Sequence, residues 1–181
     1  RITAFGRKDE KLSGLANEFA ADLPDENEEL EKRIADRKKS FLQSAGSVEA
    51  GLAVFEKRCA ACHQVADKGK KVGPNLDGIG SRGLDRLAED ILTPNRNVDV
   101  AFRATTIVTK AGKVFSGLEK RTEGARVLLI DGTGKEISIP EADIDERVKS
   151  ARSPMPENLG EMITDEEFRN LLAWLLSVRS S

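Results

Sequence analysis

Both cysteines and the single histidine of this 181-residue chain fall within five consecutive positions, Cys59-Ala60-Ala61-Cys62-His63. That concentration constrains the fold more than any other feature, because whatever these donors do must be organised around one turn of backbone. A disulfide between Cys59 and Cys62 would close only a tiny loop, and exported proteins of this size seldom depend on such a bridge alone. A zinc site needs four ligands, and with no other Cys or His only carboxylates remain to complete it. A thioredoxin-like dithiol is expected beside a βαβ pattern, which is absent around Cys59.

The spacing has a direct mechanical reading as a c-type haem attachment. Two thiols so separated reach the two vinyl groups of one porphyrin, and the imidazole of the next residue lies below the iron. Zinc and dithiol chemistry stand as the alternatives. With His63 as one axial ligand, the other cannot be a second histidine, which leaves Met155 and Met162 as the candidates. Met155 lies in Ser153-Pro154-Met155-Pro156, where two prolines prevent helix and present a side chain from a fixed loop. Met162 precedes the C-terminal helix, where a flexible apolar residue more often fills core space. Met155 is therefore favoured; otherwise both methionines are packing residues and the iron is open or bound by Lys or water.

Composition narrows the partners. Charged residues make up 33% and hydrophobic residues 39%, as in a well-solvated globular protein. With 29 Lys and Arg against 31 Asp and Glu, the net charge of -2 supplies no basic field for nucleic acid or an anionic membrane. No run approaches the ~18 apolar residues of a membrane span. The opening Arg-Ile-Thr-Ala has neither a Met nor an apolar signal core, which suggests a mature product or part of a longer protein. The length suits one domain with an insertion, or two small ones sharing a core.

Along the chain, residues 1–45 read as two charged helices, one carrying Leu12, Leu15 and Phe19, the other running from about Asn27 to Gln43 with Leu30, Ile34 and Phe41. Leu23-Pro24-Asp25 marks the break. The second apolar stripe is thin, so weak packing on this chain, or packing on a missing domain, is expected. Ser47 is a candidate N-cap for a helix from Val48 to about Cys59 with Leu52 and Phe55 facing a core. Gly-rich loop follows to Gly83, then a short helix from Asp85 to Leu92 stopped by Pro94. From residue 100 the pattern alternates, and turn chemistry at Ala111-Gly112, Thr122-Glu123-Gly124 and Asp131-Gly132-Thr133-Gly134 predicts four antiparallel strands. Pro140 to Val148 is expected to make a helical turn returning Ile144 and Val148 to the core. Thr164-Asp165-Glu166-Glu167 is a capping box for a last helix striped with Phe168, Leu171, Leu172, Leu175 and Val178.

Gly51-x-x-x-Phe55 before the Cys-x-x-Cys-His run, then Val72-Gly73-Pro74-Asn75-Leu76, Met155-Pro156 and a terminal helix with Trp174 resemble a class I cytochrome c. More narrowly, residues 46–181 resemble the C-terminal haem-binding domain of large bacterial proteins built from dehydrogenase-like β-propellers and helical repeats. The narrower likeness rests on the haem motif, Gly-Ile-Gly-Ser-Arg-Gly at 78–83, Pro94-Asn95-Arg96 and the strand-rich insertion. It implies that the Pro74 carbonyl accepts a hydrogen bond from the His63 ring, that Arg82 meets a haem propionate, and that Gly51 and Phe55 cross the last helix near Trp174. The separation of His63 from Met155, 92 positions along the chain, departs from compact cytochromes.

The expected architecture is a mainly α cytochrome c fold at 46–181, with a small antiparallel β subdomain inserted at 100–148 and a charged helical extension at 1–45. The expected function is single-electron transfer through one covalent haem c held by Cys59, Cys62, His63, Pro74, Arg82 and Met155, with His63 and Met155 on the metal and no bond-making chemistry. The resemblance implies a dehydrogenase donor on the same or an associated polypeptide, a cytochrome or terminal reductase as acceptor, and a periplasmic or otherwise exported location. Two other readings stand beside it: a sensor or peroxide-reactive enzyme with an open sixth site, and a partner-binding module with a structural haem. Lys68, Lys70 and Lys71 are either a solvated loop or a docking patch for an acidic redox partner.

Overall fold

The computed structural model describes residues 26–179, so the expected helix at Leu12, Leu15 and Phe19 lies outside the described residues. Among the described residues, helices build one apolar core and an antiparallel sheet builds a second.

Two helices far apart in sequence form the centre of the first core. Helix α2, Val48–Arg58, follows α1, Glu26–Gln43, and starts where the Ser47 hydroxyl accepts from the Ala50 N–H at 3.2 Å. After α3, Gly83–Leu92, and the single turn α4, Leu159–Met162, the last helix α5 spans Asp165–Ser177. Its start is the expected capping box: Thr164 Oγ1 accepts from the Glu167 N–H while the Glu167 carboxylate accepts from the Thr164 N–H. Helices α2 and α5 cross where Gly51 has no side chain, and there Phe55, fully buried, meets Trp174 with ring centroids 4.5 Å apart.

Helix α1 follows the first of its two expected courses, lying on this chain with little apolar contact. Its stripe is thin, yet α1 packs on α3 and α5 of this chain, with Ile34 buried. Arginines supply what the stripe lacks. Arg37 donates to the carbonyls of Gly160 at 2.8 Å and Ile163 at 3.2 Å, pairs with Asp165 at 2.9 Å, and lies 5.3 Å over the Phe168 ring. Those carbonyls belong to the end of α4, whose last acceptors have no partner within the helix, and a guanidinium satisfies them with charge-assisted bonds. Arg33 pairs with Glu161, and Arg96 bridges Glu31 and Glu89.

The insertion begins after a 3-10 turn at Val100–Phe102. Apart from a two-residue hairpin, β1 Gln64–Val65 with β2 Lys68–Gly69, the strands are β3 Thr105–Thr109, β4 Val114–Glu123, β5 Arg126–Ile130, β6 Glu136–Pro140 and β7 Ile144–Lys149. Among the described residues these five form one antiparallel sheet in the order β6-β5-β4-β3-β7. Its core is Ile107, Val127, Leu129 and Ile139, with Phe115, Ile137 and Ile144 against it.

The fifth strand is a correction. Where the sequence suggests a helical turn from Pro140 to Val148, a 3-10 turn at Glu141–Asp143 leads into β7, and Val148 is 56% exposed rather than returned to the core. Apolar residues four apart satisfy both a helical and a strand period, so Ile144 and Val148 could not distinguish them. What decides is β3, whose second edge needs a ladder partner; Ile107 lies opposite Arg147 and Thr105 opposite Lys149. A strand as charged as Asp145-Glu146-Arg147 suits the sheet's edge. The mainly α expectation thus holds for the helical core, while the sheet is a larger share than four strands would make.

Candidate functional site

The Cys-x-x-Cys-His run leaves the end of α2 as a closed turn. Cys59 caps the helix, donating to Phe55 O at 2.7 Å, and the N–H groups of Cys62 and His63 both reach back to Cys59 O, at 3.1 and 2.9 Å. The carbonyls of the turn are taken by the following loop: Gly73 N–H donates to Cys62 O at 2.7 Å, and Lys70 N–H to Ala60 O at 3.0 Å. A motif whose backbone is paired everywhere but at Ala61 holds three side chains in fixed relation at little further entropic cost.

The imidazole is oriented by the same loop. His63 Nδ1 lies 2.9 Å from Pro74 O. A carbonyl only accepts, so Nδ1 carries the hydrogen and Nε2 presents a lone pair. Burial lowers the His63 pKa, outweighing the opposite pull of the Pro74 hydrogen bond, so the ring is neutral and able to bind a metal. Gly73 lies against the ring: a Cβ there would sit 3.0 Å from Cε1 and 3.2 Å from Nδ1.

No disulfide joins Cys59 and Cys62. Burial, reinforced by the neighbouring Cys62, pushes the Cys59 thiol up to about 12. Cys62 is also raised, by burial first and by the Asp131 carboxylate next. A reactive dithiol shows the reverse, a thiol depressed by a helix N-terminus or nearby cation, whereas Cys59 stands at a helix C-terminus. Among the described residues, no three His, Cys, Asp or Glu side chains converge where an ion could sit. Addition of each thiol across a vinyl group would form an S–C bond and place the thiol's proton on the other vinyl carbon, so two half-buried cysteines beside a neutral imidazole are compatible with a thioether-bound haem.

The remaining expected residues are distributed as follows. Met155 packs against the helical core that also holds Cys59 and Ala60, and its N–H donates to Ser153 Oγ at 3.1 Å. Met162 does not fill core space, as its position suggested; it is 43% exposed and its carbonyl accepts from Arg58 at 3.0 Å. Helix α4 is only one turn long, so its last residue falls at the rim where Arg58 needs an acceptor. Arg82 pairs with Asp90 at 3.2 Å, and among the described residues no hydrogen bond or ion pair joins it to Cys59, Cys62 or His63. Lys68, Lys70 and Lys71 are exposed, with Lys68 3.5 Å from Glu56.

Sequence reasoning named two contributors without their roles at the site. Asn95 fixes the methionine loop, its Oδ1 accepting from the Ser153 N–H at 2.7 Å. The turn between β5 and β6 reaches the haem motif, where a Cβ on Gly134 would meet Ala61 O at 2.8 Å. Asp-Gly-Thr-Gly signals a turn but nothing about where it lands.

Comparison with known proteins agrees with this geometry. The family described as cytochrome c matches residues 48–115, from the start of α2 into β4. A 38-residue stretch is 55% identical to cytochrome c-550 of Nitrobacter winogradskyi, covering 20% of this chain and 34% of that protein. Cytochrome c of Guizotia abyssinica is 30% identical over 102 residues, 49% of this chain and 92% of the relative. The chain therefore spans about a third of the first relative and nearly all of the second. Coverage of almost an entire small cytochrome, together with the paired cysteines and the oriented imidazole, makes this chain a member of the cytochrome c family, proteins that bind haem c covalently and carry electrons.

Proposed function

We propose that this chain is a one-electron relay in which Cys59 and Cys62 hold the haem through thioethers, His63 Nε2 and Met155 Sδ bind its iron, and a dehydrogenase on the same or an associated polypeptide is the donor. The observation that carries the reading is the His63 ring anchored at Nδ1 by the Pro74 carbonyl, which leaves Nε2 as its one free lone pair next to Cys59 and Cys62. Bound haem supplies the Fe(III)/Fe(II) couple. The chain's own residues do the rest. Pro74 fixes the imidazole plane and raises its basicity, as outer partners of metal-bound histidines do. The two prolines flanking Met155 stiffen its loop, and Ser153, itself held by Asn95, orients the Met155 backbone. Arg82 has N–H donors beyond the one on Asp90 and can meet a propionate with them. Phe55, Trp174 and the core around them exclude water, and a His/Met pair in a dry pocket favours the reduced state. A cytochrome or terminal reductase is the acceptor, and an exported compartment such as the periplasm is the site of action.

The test is a pyridine haemochrome spectrum with the intact mass of protein matured in a host competent for haem attachment. One haem per chain is expected, and colourless protein of bare polypeptide mass refutes the reading. In the ferric protein Met155→Ala should abolish the red band of sulfur-bound iron while Met162→Ala retains it; the opposite pattern reassigns the ligand. Reduced wild type should resist carbon monoxide, and rapid binding would favour the open-site reading instead.

A further inference from the structure

The turn between β5 and β6, residues 131–135, touches two parts of the site that lie far apart in sequence. A Cβ on Gly134 would lie 2.8 Å from Ala61 O and 3.0 Å from Ala61 Cβ, inside the Cys-Ala-Ala-Cys-His run. A Cβ on Gly132 would lie 2.8 Å from Pro154 O, the carbonyl immediately before Met155. The backbone of one turn thus fits between the segment bearing His63 and the segment bearing Met155, and only glycine leaves room on both sides.

The turn is stiff enough to transmit position. Asp131 Oδ1 accepts from Thr133 N at 2.9 Å, Thr133 Oγ1 at 2.6 Å and Lys135 N at 3.1 Å. The backbone closes it as well, Gly134 N–H donating to Asp131 O at 2.9 Å and Asp131 N–H to Lys135 O at 3.0 Å. It stands on β5, whose Leu129 and Ile130 are buried. An Asp that accepts several local bonds makes a turn rigid without help from the rest of the sheet.

We propose that the 131–135 turn is a strut that sets the spacing between the two ligand-bearing segments, making Gly132 and Gly134 positioning residues for Met155 on the haem iron. The inference rests on the reading of Met155 as the sixth ligand. A thioether is a weak ligand, and its hold depends on how little the loop must be ordered when the bond forms; sites of this kind need their groups held within about 0.5 Å. The sheet thereby acquires a role in the haem site: it braces the methionine loop against the motif.

The test uses ferric holoprotein and reads the red sulfur-to-iron band and the affinity for added imidazole, which competes with the methionine. Gly132 has no left-handed φ, so Gly132→Ala probes contact alone. Gly134→Ala adds contact to a left-handed φ of 80°, and Gly124→Ala, at φ 58° with nothing within 4 Å, controls for that backbone strain. Gly132→Ala and Gly134→Ala should weaken the band and raise imidazole affinity on the order of tenfold, the equivalent of modest overpacking strain. Gly124→Ala should leave both within about twofold of wild type even if its melting temperature falls. Should Gly134→Ala fail to take up haem, Asp131→Ala, which loosens the turn without adding an atom, should show the same two changes. If Met155→Ala loses the band while Gly132→Ala and the Gly134 or Asp131 variant behave like Gly124→Ala, the strut is refuted and the ligand stands. If Met155→Ala keeps the band, the ligand assignment fails and the strut with it.

Discussion

Replacing Gly51 by alanine sets two well-defined effects against each other. Helix propensity alone favours the change by ~1 kcal/mol, since glycine in a helix interior costs about that much relative to alanine. Packing opposes it. The new Cβ would stand 1.9 Å from Asn170 O, 2.6 Å from Asn170 C and 2.7 Å from Trp174 Cβ, where ordinary contact begins at 3.4 Å. The nearest atoms are backbone of a helix and cannot swing away, so α2 and α5 must part by about 1.5 Å along that line. A gap of ~0.5–1 Å already forfeits a quarter to a half of a dispersion contact, and Phe55 and Trp174, 4.5 Å apart, sit beside the point of separation. With overpacking costing ~1–3 kcal/mol or more, and the contact here being worse than usual, the net loss should be about 3 kcal/mol. For a protein of this size that is a fall of roughly 6–12 °C in melting temperature. Thermal unfolding of the holoprotein by circular dichroism measures it. Ala53→Gly, at an exposed position of the same helix, supplies the propensity term with the opposite sign. If Gly51→Ala gains as much as Ala53→Gly loses, the helices do not cross at Gly51 and the reasoning fails.

Other perturbations act on single contacts. Thr164→Ala removes the hydroxyl that accepts from the Glu167 N–H and should cost about 1 kcal/mol in urea unfolding, with no change in the haem spectrum. Glu167, Asp131 and Asp77 all have carboxyls held below the usual range, chiefly by hydrogen bonds from the Thr164 N–H, the Thr133 side chain and the Ala66 N–H respectively. A depressed folded pKa stabilises the fold above the unfolded value and loses that stabilisation as pH falls through the folded value. The contribution of these three carboxylates should therefore be complete above about pH 5 and lost progressively below about pH 4, and Glu167→Gln should make that acid decline shallower. An unchanged slope would show that the capping carboxylate is not held in solution. Arg37→Ala leaves the Gly160 and Ile163 carbonyls without their donor and should cost about 2–3 kcal/mol; a loss under ~0.5 kcal/mol would mean that α1 does not dock.

The sequence made the helices of the core legible because each carries its own punctuation. Ser47, the Thr164 capping box and the spacing of Phe168, Leu171, Leu172 and Leu175 locate α2 and α5 without reference to anything distant. Strands β3 to β6 could be read for the same reason, alternation bounded by turn residues. What could not be read is pairing at a distance. The residues of β7 look like strand only once β3 is known to lack a partner, and α1 looks weakly held until Arg37 finds carbonyls more than a hundred residues away. The site divides along the same line. The Cys-x-x-Cys-His run is local, so its chemistry could be argued from five residues; the Asn95 contact to Ser153 and the landing place of the 131–135 turn are properties of the folded chain alone.

The insertion between His63 and Met155 also costs the helical core less than its length suggests. Ala104 and Ser150, at its two ends, are joined directly: Ala104 N–H donates to Arg152 O at 2.7 Å and Ser150 N–H to Ala104 O at 2.8 Å. Strands β3 and β7 then run side by side, so the chain leaves the core and returns at one place. An unstructured loop must lose closure entropy that grows as (3/2)RT ln n, whereas a folded insertion with adjacent ends has lost its freedom in making its own core and presents the neighbouring helices with a short link. Ile107, Val127, Leu129 and Ile139 provide that separate core. The separation of two ligands along the chain is for this reason a poor guide to their separation in space, and an insertion folded so close to the haem motif can brace the site it interrupts.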